Sequence, residues 1–137
     1  MGLAWTIDPQ RALVSVRADG DIERPQIAAL FDDIHARDAH RFRRLVDATR
    51  ADPTLPLGDA YVMAAEIRER HRATGIPPGP LAVAVEPDLL ERYRPLLGMI
   101  AATDRPFRLF TDIDSAAAWL EAPRIRNWSP RPARGRC

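Results

Sequence analysis

Leu81-Ala82-Val83-Ala84-Val85 is apolar at every position, with no polar residue alternating through it. Gly75-Ile76-Pro77-Pro78-Gly79-Pro80 comes just before, and two prolines beside each other between glycines cannot continue a helix or a strand. Helical patterns lie on either side of this pair of segments. A short unbroken apolar run in that setting reads as a strand covered on both faces of a sheet. Such strands belong to parallel sheets with crossover helices, so this run decides for an α/β architecture. It is the best candidate for the centre of the sheet.

Toward the C-terminus, a helix from Asp88 places Leu89, Tyr93, Leu96, Leu97 and Ile100 inward, and Pro95 predicts a kink or two short helices. Residues 107–110 form a strand. Asp112 then serves as N-cap for a helix over 113–121, whose buried stripe is Ala116, Trp119 and Leu120.

Toward the N-terminus, a helix starting near Asp59 carries Ala60, Met63, Ala64, Ile67 and His71 on one face. Glu66, Arg68, Glu69, Arg70 and Arg72 occupy its exposed face. Residues 42–48 hold a short buried strand around Leu45-Val46, ending at Asp47. Before it, Ile27, Leu30, Phe31 and Ile34 fall at i, i+3, i+4 and i+7, one stripe of a helix entered near Pro25. The chain opens with two apolar runs, 3–7 and 12–16, joined by the turn signal Asp8-Pro9-Gln10. They form a β-hairpin with Trp5 and Ile7 on one face and Val14 and Val16 on another.

The resulting order is ββαβαβαβα: a mostly parallel, mixed five-stranded sheet whose one antiparallel strand comes from the N-terminal hairpin. One α/β domain spans residues 1–122, and an arginine- and proline-rich tail spans 123–137. A chain of 137 residues, 46% hydrophobic, supports one core of this kind without metal or disulfide staples.

This order and four local patterns resemble the SpoIIAA-like branch of the STAS-type fold. Val14-Ser15-Val16-Arg17-Ala18-Asp19-Gly20-Asp21-Ile22 is similar to that family's strand, turn glycine and helix entry. Arg44-Leu45-Val46-Asp47 is similar to its third strand, and residues 81–85 to its central strand. Phe107-Arg108-Leu109-Phe110-Thr111-Asp112, with Ala116 and Ala118-Trp119-Leu120, resembles its ending. The resemblance implies either an anti-sigma-factor antagonist that docks on a kinase and is switched by serine phosphorylation, or a small carrier of non-polar ligands. The switch serine of the antagonists stands at the start of the helix after the third strand. Here that neighbourhood reads Leu55-Pro56-Leu57-Gly58-Asp59-Ala60, without a serine and with Asp59 already supplying negative charge. Thr49 and Thr54 are the nearby hydroxyls, and no phosphoswitch is expected.

All twenty basic residues are arginine, which removes Schiff-base and P-loop lysine chemistry. The net charge of +1 excludes a general polyanion trap, although residues 124–137 hold five arginines and no acid. Cys137 is the one cysteine, so no intramolecular disulfide forms, and no signal peptide or membrane span is legible. These features point to the cytoplasm.

In open α/β sheets ligands bind beyond the carboxyl ends of the strands. On that rule Asp47, Thr49, Arg50, Asp59 and Glu86 are the candidate ligand or partner loop residues. Asp47 and Glu86 read first as helix caps or arginine partners. Arg124, Arg126, Trp128 and Arg131 are the candidates for anchoring the tail or for an interaction through it; the plainer alternative is a solvated extension. His35 and His40, five apart, do not share a helical face, and no metal-ligand spacing is present. His71 reads as a packing residue. Ser15, Ser115 and Ser129 lie in no nucleophile elbow, and no glycine pattern fits a nucleotide loop.

The expectation is a non-enzymatic module, without cofactor or metal, that binds a protein partner, a second copy of itself or a small non-polar ligand. The alternatives are a small enzyme using Asp47 and Glu86, and nucleic-acid binding through the arginine tail.

Overall fold

The computed structural model describes residues 2–52, 57–100 and 105–130. Strands β1 (Gly2–Asp8) and β2 (Leu13–Gly20) pair antiparallel. Asp8 closes the turn between them, its Oδ1 accepting from the Gln10 and Arg11 amides. Trp5 sits opposite Val16, and Ile7 opposite Val14. Residues directly opposite in such a ladder point to the same side. All four therefore share one face and one apolar cluster, which corrects the two faces expected from the sequence.

Gly20, at φ 69°, turns the chain out of β2 in the left-handed region where glycine carries no steric penalty. Helix α1 (Arg24–Ala36) follows, its N-terminus closed by a reciprocal Glu23–Gln26 capping box with proline in the first turn. Ile27, Leu30 and Ile34 are buried as the periodicity requires. Strand β3 (Arg43–Ala51) extends beyond the expected end at Asp47. It carries a bulge: Arg17 and Asp19 of β2 pair with Asp47 and Arg50, so β3 has one residue more than its partner.

Helix α2 (Leu57–Thr74), strand β4 (Leu81–Ala84), helix α3 (Pro87–Ile100), strand β5 (Phe107–Phe110), helix α4 (Ile113–Glu121) and the short α5 (Pro123–Arg126) complete the chain. Pro95 lies inside one continuous α3 rather than between two helices. The side chains expected inward at Tyr93, Leu96, Leu97 and Ile100 lie outside the described ones. Asp112 caps α4 as expected, accepting from the Ser115 amide at 2.8 Å. None of the described helices is long and apolar enough to cross a membrane.

The five strands are ordered β1-β2-β3-β4-β5, parallel from β2 onward. The middle strand is therefore β3, not the run at 81–84. Every residue of β4 is nonetheless buried, because helices cover both of its faces. Right-handed crossovers that always step in the same direction put their helices on the same face. The α1, α2 and α3 helices accordingly share one side, while α4 packs on the other against Leu13, Leu45, Ala82 and Ala84. Ile125 of α5 joins that second cluster at 4% exposure, so the packed chain runs past residue 122 into the segment read as tail.

Candidate functional site

A sheet whose strand order never reverses has no topological switch point, the crevice in which doubly wound sheets bind their ligands. The space is found elsewhere. Helix α2 packs against α3 and α1 and meets β3 through the His71–Arg44 hydrogen bond. Beneath it lies a cavity of about 480 Å³, within the range that holds small molecules. Val14 and Val16 of β2, Val46 and Ala48 of β3, and Val83 of β4 form its floor. Ile34, Ala64 and Leu89 close it from α1, α2 and α3.

Alternation along β3 aims Arg44, Val46 and Ala48 into this cavity and Arg43, Leu45 and Asp47 toward α4. The extra residue of the bulge resets that alternation, so Ala51 also reaches the lining. The lining thus follows the strand for the eight residues from Arg44 to Ala51, roughly 23 Å at a rise of ~3.3 Å per step.

One end of the cavity is cationic. Arg44 is 5% exposed and Arg105, from the segment entering β5, is 6% exposed. Arg44 donates from Nη1 to His71 Nε2 at 2.8 Å and from Nη2 to the His40 carbonyl at 3.2 Å. Its guanidinium lies 5.8 Å from the centre of the Phe31 ring, and His71 meets that ring edge-on. Arg105 donates to the Gly79 carbonyl at 3.2 Å. Gly79 is needed there because a Cβ would collide with the backbone carbonyls of Arg41 and Phe42.

No carboxylate among the described residues pairs with Arg44, and its Nε–H has no hydrogen-bond partner. Burial draws the Arg44 guanidinium down to about 10. Burial first, then the Arg44 charge, draws Arg105 down to about 9. Both remain cationic at neutral pH. Burial, with Arg44 and then Arg105 adding repulsion, lowers His71 to about 3, so its imidazole is neutral. Because a guanidinium only donates, the His71 nitrogen facing Arg44 accepts and the proton sits on Nδ1. That Nδ1–H is also buried without a partner.

The other end of the lining is acidic and reaches the surface at Asp21 and Glu23, with Asp52 half-buried beside them. The Asp21 carboxyl is raised above the usual aspartate value, chiefly by a hydrogen bond with Asp52 and by that residue's charge.

None of the loop and tail residues selected from the sequence lines this cavity, whereas Phe31 and Met63, from the apolar stripes of α1 and α2, do. Asp47 Oδ1 accepts from the Thr49 amide and hydroxyl, at 3.1 and 2.6 Å, across the β3 bulge. Arg50 and Asp59 are exposed. Glu86 is exposed one strand away from Asp47, and its carbonyl opens α3 by accepting from Leu90. Arg124 and Arg126 are exposed, Trp128 is half-buried, and Arg131 lies outside the described residues. His35 and His40, separated in the sequence reading, meet at 3.1 Å. Asp38, at φ 54°, reverses the chain after α1 and folds His40 back over the helix end.

The periodicity of the chain carries a signal for the cavity. Arg44 occupies an inward position of a buried strand, and His71 an inward position of α2.

No protein-family model and no curated protein matches the chain. Among solved structures it is similar to an uncharacterized protein from the DUF3478 family with a SpoIIAA-like fold, from Shewanella loihica PV-4. The TM-score is 0.61 at 20% identity, over 87% of this chain and 93% of that one. The chain has a SpoIIAA-like α/β fold.

Proposed function

We propose that the protein is a non-enzymatic module that binds a small apolar ligand between its sheet and helix α2. The cavity of about 480 Å³, floored by valines from three strands, carries this reading. Interiors otherwise pack densely, with few voids larger than a water molecule. A space of this size between a helix and the sheet therefore supports a binding role. The carboxylates considered for catalysis stand outside it, and Asp47 is already engaged by Thr49.

The test uses the neutral fluorophore N-phenyl-1-naphthylamine, which brightens in apolar surroundings. The wild-type chain is expected to bind one equivalent. Ala64→Trp, which places an indole beneath α2, is expected to abolish that binding while circular dichroism stays unchanged. Equal binding by both proteins would overturn the proposal.

A further inference from the structure

We infer that the occupant of the cavity is an amphiphile with an anionic head, its chain lying against the valine floor and its oxyanion held by Arg44. The inference rests on the binding role proposed above and adds the chemistry of the ligand.

A buried cation is stable when a counter-charge and hydrogen bonds replace its water. Arg44 has two of its donors satisfied, by His71 and the His40 carbonyl, and a ring face at Phe31. It has no counter-ion among the described residues, and its Nε–H is unused. Arg105 adds a second positive charge to the same lining. These groups donate and do not accept. A carboxylate or phosphate supplies acceptors and the missing negative charge together. An alcohol or ester head supplies acceptors alone.

The remainder of the lining selects for a chain. Val14, Val16, Val46, Val83 and Leu89 offer nothing to a small inorganic anion. The exposed Asp21 and Glu23 repel such an anion at the opposite end. Burial of an alkyl chain offsets that repulsion, so Arg44 is reached by an amphiphile in preference to free phosphate.

The experiment displaces N-phenyl-1-naphthylamine with dodecanoate, dodecyl phosphate and dodecanol, each below its aggregation concentration. At least one of the two anions is expected to displace the dye tenfold more tightly than dodecanol. The better anion identifies the head as carboxylate or phosphate. In Arg44→Gln the preference is expected to fall below threefold while dye affinity is retained. Equal displacement by the alcohol and both anions in the wild-type chain would overturn the inference and leave the cavity reading standing. Failure of the dye itself to bind would remove both. The wild-type comparison needs no variant, so it decides even if Arg44→Gln does not fold.

Discussion

Arg44 donates to His71 across 2.8 Å, and this one hydrogen bond fixes where the imidazole carries its proton. A guanidinium has no acceptor, so His71 Nε2 must be the bare nitrogen. Nitrogen-15 spectra of the ring are expected to show a neutral Nδ1–H tautomer that persists to pH 5. A ring that titrates near 6.5 would place His71 in water rather than under α2.

The same burial makes stability depend on pH. With its folded value lowered to about 3, His71 stays unprotonated while the unfolded chain takes up a proton below 6.5. The stabilising difference is complete above 6.5 and is lost as pH falls toward 3. Across that window the slope is one proton, about 1.4 kcal/mol per pH unit. His40, lowered by burial and by Arg44, adds to it in the same direction. Urea midpoints measured from pH 7 to 5 are expected to fall, and to fall less in His71→Gln, which keeps an acceptor for Arg44. Identical slopes in the two proteins would contradict the assignment.

Neighbouring arginines on β3 should respond oppositely to the same substitution. Arg43 points toward α4 and is fully engaged: it donates to the Leu120 carbonyl at 2.8 Å, to Glu121 at 3.0 Å and to the Arg11 carbonyl at 2.7 Å. Arg43→Met is expected to lower stability by roughly 2–3 kcal/mol, the scale of charge-assisted hydrogen bonds lost from a buried site. Arg44→Met removes an uncompensated buried charge and is expected to raise stability by about 1 kcal/mol. Equal losses in urea unfolding would make Arg44 a structural residue.

The sequence carried most of the fold and little of the site. Asp112 announced its helix through a local hydrogen bond, and Ile27, Leu30 and Ile34 announced theirs through spacing, both readable without tertiary knowledge. The run at 81–84 gave a fully buried strand, but not its place in the sheet, because the middle strand, β3, is polar at Arg43, Arg44 and Asp47 and only half-buried from Leu45 to Thr49. Asp47 drew attention as a carboxylate at a strand end. Its partner Thr49 shows it holding a bulge, a feature that depends on the register with β2. Arg44 is not legible as a cavity residue because arginine beside a strand core reads as a charged flank. Only pairing with Val14 and Leu81 puts it inside. His40 met His35 through a left-handed residue at Asp38 that no helical periodicity contains.

Methyl-resolved NMR during a titration with dodecanoate tests the binding site most directly, since the two faces of the sheet serve as test and control. A chain lodged beneath α2 predicts shifts at Val14, Ile34, Val83 and Leu89, saturating at one equivalent, with Leu13, Leu45 and Leu120 on the α4 face unmoved. Shifts confined to exposed side chains such as Val62, or no saturable shift at all, would contradict it.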